Sequence, residues 1–220
     1  MTEIRVADHA GFCFGVTNAV ETAYRQLERS KAEGRDLFCL GPLIHNRQVT
    51  DELKNSGLIT ISSIEDAPPG ARVLIRAHGE PDSTYKAAEE KGIELIDSTC
   101  PLVKRIHEIA RDAGNRGKTT VVIGNMSHPE VKGILGSTSG NAFAVSSAED
   151  AMRLDISAGS VTVVAQTTIT KELFDECAGI IRQKDPSAEI RNTICRATKD
   201  RQDAAAKLAG ESDFMVVIGD

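Results

Sequence analysis

Ile93-Glu94-Leu95-Ile96-Asp97-Ser98-Thr99-Cys100-Pro101-Leu102-Val103 joins an extended apolar stretch, a cysteine and the start of a helix. The helix runs on through Ala110, because Val103, Ile106, His107 and Ile109–Ala110 recur with a 3.6-residue period. The layout occurs twice more. Ile4-Arg5-Val6 leads to Cys13 and a helical run from Val16 to Leu27. Ala188-Glu189-Ile190 leads to Cys195 and a run from Ala197 to Leu208, where Ala204, Ala205 and Leu208 keep a weaker stripe. Each helix then feeds a short apolar strand: Leu37-Phe38-Cys39-Leu40-Gly41, Thr120-Val121-Val122-Ile123-Gly124 and Phe214-Met215-Val216-Val217-Ile218-Gly219. Short Val- and Ile-rich runs alternating with helices predict buried parallel strands.

The repeat keeps register. Gly124 lies 24 residues after Cys100, Gly219 lies 24 after Cys195, and Gly41 lies 28 after Cys13. His45 stands four residues past Gly41, and His128 four past Gly124. In both units a further helix and a second apolar strand follow: Val73-Leu74-Ile75-Arg76-Ala77-His78-Gly79 and Val161-Thr162-Val163-Val164-Ala165-Gln166-Thr167-Thr168. These regularities predict an α/β fold of three pseudo-symmetric α/β units with mostly parallel sheets. The units are 14–97, 98–192, and an incomplete third made of 193–220 with 1–13. The third counterpart of His45 and His128 would stand at a position beyond Asp220, so the third unit is expected to be cut short.

Composition narrows the function. Hydrophobic residues at 40% and charged residues at 26% are those of a globular chain, which excludes a disordered or collagenous one. A net charge of −6 and 4% aromatics without tryptophan argue against a nucleic-acid partner. No apolar run approaches the roughly 18 residues that cross a bilayer. The opening Met1-Thr2-Glu3-Ile4-Arg5 has no basic-then-apolar secretion pattern, so a cytoplasmic protein with no membrane partner is expected. Five scattered cysteines do not make a disulfide scaffold; they are either small buried hydrophobes or metal and redox groups.

Ligands of parallel sheets bind beyond the carboxyl ends of the strands. The repeat sets Cys13, Cys100 and Cys195 just past such ends, and His45, His78, His128, Thr167 and Thr168 past others. Three converging thiolates suit a metal centre. Structural zinc takes four protein ligands, and an iron–sulfur cluster held by only three cysteines keeps a non-protein position on one iron. His9 and His107 read as ordinary surface and core histidines. His45, His78 and His128, flanked by turn residues, suit an anionic small ligand such as a diphosphate, with helix N-termini and the hydroxyls of Thr167 and Thr168 as further donors. Glu130 is either a proton donor with a raised pKa or an acid complementing a helix N-terminus.

Seven motifs in order carry a resemblance. They are Gly11-Phe12-Cys13-Phe14-Gly15-Val16, Gly41-Pro42-Leu43-Ile44-His45-Asn46, Arg76-Ala77-His78-Gly79, Asp97-Ser98-Thr99-Cys100-Pro101, His128-Pro129-Glu130-Val131, Gln166-Thr167-Thr168, and Thr193-Ile194-Cys195-Arg196-Ala197-Thr198 followed by Arg201-Gln202. In them the chain resembles the 4-hydroxy-3-methylbut-2-enyl diphosphate reductase family of the non-mevalonate isoprenoid pathway. The resemblance implies one central [4Fe-4S] cluster on Cys13, Cys100 and Cys195. It implies reductive dehydroxylation of the substrate to isopentenyl and dimethylallyl diphosphates, and an external ferredoxin or flavodoxin as donor. It implies diphosphate contacts from His45, His78 and His128, substrate contacts from Thr167 and Thr168, and catalytic roles for Glu130, His128 and Thr167. Cys39 and Cys177 match no ligand. A monomer or weak dimer is expected.

The resemblance also implies a departure. A Ser-Asn-rich segment and a later serine, which help grip the diphosphate in the family, would lie beyond Asp220. The expectation is a truncated chain that binds substrate poorly, with an unstable third unit and an exposed strand edge. Two other readings stand beside the reductase. One is a weak or inactive fragment that keeps the cluster as a structural or redox group. The other is a zinc hydrolase, which lacks a compact ligand pair.

Overall fold

The computed structural model describes residues 3–157 and 159–218. Chain order is α1 (Phe14–Glu33), β1 (Leu37–Leu40), α2 (Arg47–Asn55), β2 (Leu58–Ile61), β3 (Arg72–Ile75), α3 (Asp82–Glu90), β4 (Glu94–Asp97), α4 (Pro101–Asn115), β5 (Thr119–Ile123), α5 (Pro129–Leu135), β6 (Ala142–Val145), α6 (Ala148–Arg153), β7 (Val161–Ala165), α7 (Lys171–Lys184), β8 (Glu189–Ile190) and α8 (Arg196–Gly210). Two four-stranded sheets form, ordered β2-β1-β3-β4 and β6-β5-β7-β8, and every pairing is parallel. The α/β expectation with parallel sheets therefore holds.

The inner strands carry the apolar runs because helices cover both their faces. β3 and β7 are buried at every residue. On one side of the first sheet, Ala19, Ala23 and Leu27 of α1 pack on Leu37 and Leu74. On the other, Ala88 and Ile93 pack on Val73 and Ile75. Each large side chain so buried contributes about 1.5–3 kcal/mol. Cys39 belongs to the first of these cores and Cys177 to the core of the second sheet, both at 0% exposure, and burial pushes the Cys39 thiol up to about 12.

Arg72 in β3 has a fully buried side chain. It donates to Ser30 Oγ at 3.1 Å, to Glu33 at 2.7 Å and to Glu94 at 3.0 Å, tying the end of α1 to β3 and β4. Asn46 caps α2 by accepting from the Val49 N–H at 3.0 Å. Replacing Asn46 with Ala should cost about 1 kcal/mol. A thermal melt should show a midpoint lower by roughly 2–4 °C.

Three sequence expectations need correction. The edge strands β2 and β6 were not foreseen. Each mixes buried and open positions, with Ile59 and Phe143 exposed, and so lacks the continuous burial that marks an inner strand. Ile4-Arg5-Val6 forms no strand, and Ile4 and Val6 are 89% and 77% exposed. The strand expected at Phe214–Gly219 is also absent over Phe214–Ile218, where Phe214 is 94% and Ile218 93% exposed. Gly219 lies outside the described residues. Both segments have strand composition, but a strand persists only where a neighbour takes up its backbone groups, and no third sheet offers one among the described residues. Among these residues no helix is long and apolar enough to cross a membrane.

Candidate active site

Three cysteines stand at helix starts. Cys13 is the N-cap of α1, Cys100 of α4 and Cys195 of α8; all are free and half-buried, and none uses its side chain to cap. A helix start offers unpaired N–H groups and the positive end of its dipole. Burial pushes the Cys100 thiol up, the Leu102 and Val103 N–H groups pull it down, and Cys13 and Cys195 push it up again. A Cβ built on Gly15, two residues after Cys13, would lie 2.7 Å from Cys100 Sγ. Only a bare backbone lets α1 and α4 approach this closely. Three thiols, two of them near enough to act on the third, suit a soft thiolate-bound centre of the iron–sulfur kind.

The histidines gather where both sheets end. His45 follows β1, His78 follows β3 and His128 follows β5 as the N-cap of α5. Ring centroids are 4.5 Å apart for His45–His78, 5.2 Å for His45–His128 and 5.3 Å for His78–His128. Burial, with His45, His128 and Arg76 nearby, pushes His78 down to about 3; burial, His45 and Arg76 lower His128. Both rings are therefore neutral at pH 7. His128 Nδ1 accepts from the Glu130 N–H at 3.2 Å, which leaves the ring proton on Nε2 as a donor. A donor so fixed suits an anion rather than a cation. His78 Nδ1 is buried without a hydrogen-bond partner in the protein.

Glu130 is 2% exposed. Its carboxylate accepts from the Thr167 N–H at 2.6 Å and from Thr167 Oγ1 at 2.7 Å. Burial raises its pKa against the pull of both donors. Thr168 is exposed, and its hydroxyl accepts from Gln166 Nε2 at 2.9 Å. Gln166 Oε1 in turn accepts from the Asn125 N–H at 3.0 Å, joining the loops after β5 and β7.

Backbone links join the two halves of the site. The Cys100 N–H donates to the Ala77 carbonyl, next to His78, at 3.0 Å, and the Cys195 N–H donates to the Thr167 carbonyl at 2.9 Å. The thiols, imidazoles and buried carboxyl are thus one constellation. Sequence reasoning gave no part to Arg76, Glu80 or the packing of His107. His107 is a core histidine, as read, but its ring fills the space beside Gly79 and Gly133, where a Cβ would lie 2.9 Å and 3.2 Å from it. The signal for Arg76 and Glu80 was present, since they flank His78-Gly79 four residues apart.

Parallel sheets that set three helix-start thiols beside an imidazole cradle and a buried acid define the site of an α/β enzyme. The chain belongs to the LytB protein family, whose model matches residues 4–220. It is 42% identical over 217 residues to the 4-hydroxy-3-methylbut-2-enyl diphosphate reductase of Alkaliphilus oremlandii, covering 99% of this chain and 76% of that one. It is 40% identical to the enzyme of the same name from Aquifex aeolicus, covering 100% and 75%. The solved structure of the E-1-hydroxy-2-methyl-but-2-enyl-4-diphosphate reductase from Plasmodium falciparum superposes with a TM-score of 0.88 at 28% identity, over 96% of this chain and 66% of that one. A second solved structure, of (E)-4-hydroxy-3-methyl-but-2-enyl diphosphate reductase, described as the terminal enzyme of the non-mevalonate pathway, superposes with a TM-score of 0.77 at 39% identity, over 97% and 75%. The chain thus spans about three quarters of the curated relatives it matches.

Proposed function

We propose that the chain reduces (E)-4-hydroxy-3-methylbut-2-enyl diphosphate to isopentenyl and dimethylallyl diphosphates, a step that forms isoprenoid precursors. Two electrons and two protons enter, the C–O bond breaks, and water leaves. The observation that carries this reading is the backbone junction of a thiol triad with an imidazole cradle and a buried acid.

Cys13, Cys100 and Cys195 would hold one [4Fe-4S] cluster per chain. Bound there, the cluster supplies electrons one at a time and a Lewis-acid iron that weakens the C–O bond. His45, His78 and His128 grip the diphosphate with ring N–H groups. Glu130, protonated in its buried site, delivers a proton towards the leaving oxygen. Thr167 holds that carboxyl by two hydrogen bonds and borders the substrate with Thr168. His128 has a second task, since its Nδ1 fixes the backbone of Glu130. The proposal includes a transient ferredoxin or flavodoxin donor, a cytoplasmic location and a monomeric or weakly dimeric state. It also includes the division into units 14–97, 98–192, and 193–220 with 1–13.

The test is anaerobic purification, reconstitution with iron and sulfide, and assay of the diphosphate substrate with a chemical one-electron donor. About four irons per chain are expected, with release of both products. Iron without turnover would overturn the reductase and leave the cluster a structural or redox role.

A further inference from the structure

We propose that Arg76, restrained by Glu80, is a further determinant of the anion site, supplying a fixed positive charge behind the three imidazoles. Glu80 sets how much of that charge an anion meets. The inference rests on the reading of the histidine cluster as a diphosphate cradle.

Arg76 follows β3 directly, two residues before His78. Its guanidinium turns back beneath the loop that carries His45, and Nη1 comes within 2.5 Å of where a Cβ on Gly41 would sit. Gly41 has φ 71°, so that position favours a residue without a side chain on two counts. Arg76 Nε and Nη2 both donate to one oxygen, Glu80 Oε1, at 2.8 and 2.7 Å. The pair is largely enclosed, with 18% and 8% of the side chains exposed. The backbone of Glu80 lies against Gly133 of α5, the helix that carries Glu130. Arg76 and Glu80 therefore stand where the ends of the two sheets meet.

The charge reaches the cradle, because Arg76 disfavours protonation of both His78 and His128. That coupling poses a problem which the pair resolves. Neutral imidazoles donate hydrogen bonds but leave the charge of a diphosphate uncompensated. A guanidinium stays charged at every accessible pH, and in a partly dry site its field is weakly screened. Glu80 offsets part of that field. Burial raises its pKa and Arg76 lowers it, the mark of a carboxylate whose charge depends on its partner.

The competing role for the pair is mechanical, a latch across the Gly79 turn, where φ is 74°. The two roles predict opposite signs for one substitution. Glu80→Gln keeps the shape and an acceptor for Arg76 but removes a negative charge. A charge role makes it bind diphosphate more tightly; a latch role makes it bind more weakly.

The experiment is calorimetric titration of inorganic diphosphate into the whole chain, at low salt and near 0.15 M. Wild type, Arg76→Gln, Arg76→Lys, Glu80→Gln and His78→Ala are compared, with thermal melts to report folding. Expected are roughly tenfold weaker binding for Arg76→Gln, a much smaller loss for Arg76→Lys, and severalfold tighter binding for Glu80→Gln, all shrinking as salt rises. Weaker binding by Glu80→Gln, with Arg76→Lys as damaged as Arg76→Gln, would overturn the inference in favour of the latch. Binding that His78→Ala abolishes but the Arg76 and Glu80 variants leave unchanged would overturn the inference alone. Wild-type binding no stronger than that of His78→Ala would overturn the cradle reading and the inference with it. If the Arg76 variants fail to fold, the near-isosteric Glu80→Gln decides the matter by its sign.

Discussion

Glu130→Gln should lower turnover by about 10²–10⁴-fold, the usual contribution of a positioned proton donor, while iron content stays that of wild type. The substitution preserves volume in a site that is 2% exposed, so little repacking follows. What disappears is the proton. The amide also meets two donors, the Thr167 N–H and Oγ1, and can accept from only one of them well. The pH profile supplies an independent check. Burial lifts the Glu130 carboxyl above the ordinary range, and the Thr167 bonds only partly oppose this. The protonated form therefore persists to higher pH than in a free carboxyl. Turnover should hold steady below the raised pKa and fall as pH climbs through it. The residual activity of Glu130→Gln should lack that limb. A variant retaining both its rate and the descending limb would show that the proton comes from elsewhere.

Gly15→Ala should weaken iron retention by about 10–100-fold, although it removes no ligand. Alanine favours helix over glycine, so at an open helical position the change would stabilise the protein. Here the added methyl meets Cys100 Sγ at 2.7 Å and Cys100 Cβ at 3.2 Å. The sulfur has to leave its place, or the start of α1 has to withdraw and take Cys13 along. Iron content after reconstitution, read beside the thermal midpoint of the metal-free chain, separates the two effects. An unchanged midpoint with lost iron is the expected pair. Full iron content would mean that the thiols tolerate a looser spacing than their packing implies. Cys100→Ser is the reference for complete loss.

Much of this site was legible in the sequence because its parts repeat. Cys13, Cys100 and Cys195 each close an extended stretch and open a helix, and His45 and His128 keep one distance from a strand-ending glycine. A repeated offset from a strand end places residues in space, because parallel strands all deliver their carboxyl ends to one side. What stayed illegible depends on neighbours remote in the chain. The apolar residues of Phe214–Ile218 and Ile4–Val6 read as strand, but composition does not reveal whether an adjacent strand exists. β2 and β6 escape notice for the converse reason, being edge strands with exposed positions that break the apolar run. Arg72 reads as a surface charge until Ser30, Glu33 and Glu94 surround it. The fit of His107 against Gly79 and Gly133 depends on contacts among three segments, and no local pattern announces it.

The cysteines that start three helices are far apart along the chain, and this sets a schedule for biosynthesis. Cys13 leaves the ribosome 182 residues before Cys195. At common rates of synthesis that interval lasts about 10–40 s. For the last 95 of those residues Cys13 and Cys100 exist as a pair without their third member, each at the start of a helix. Free thiols are open to oxidation to sulfenic acid, and then to disulfide if another thiol is in reach. A centre that needs all three cysteines can be completed only after Cys195 has emerged, and its assembly would compete with oxygen for sulfur atoms that translation has left waiting.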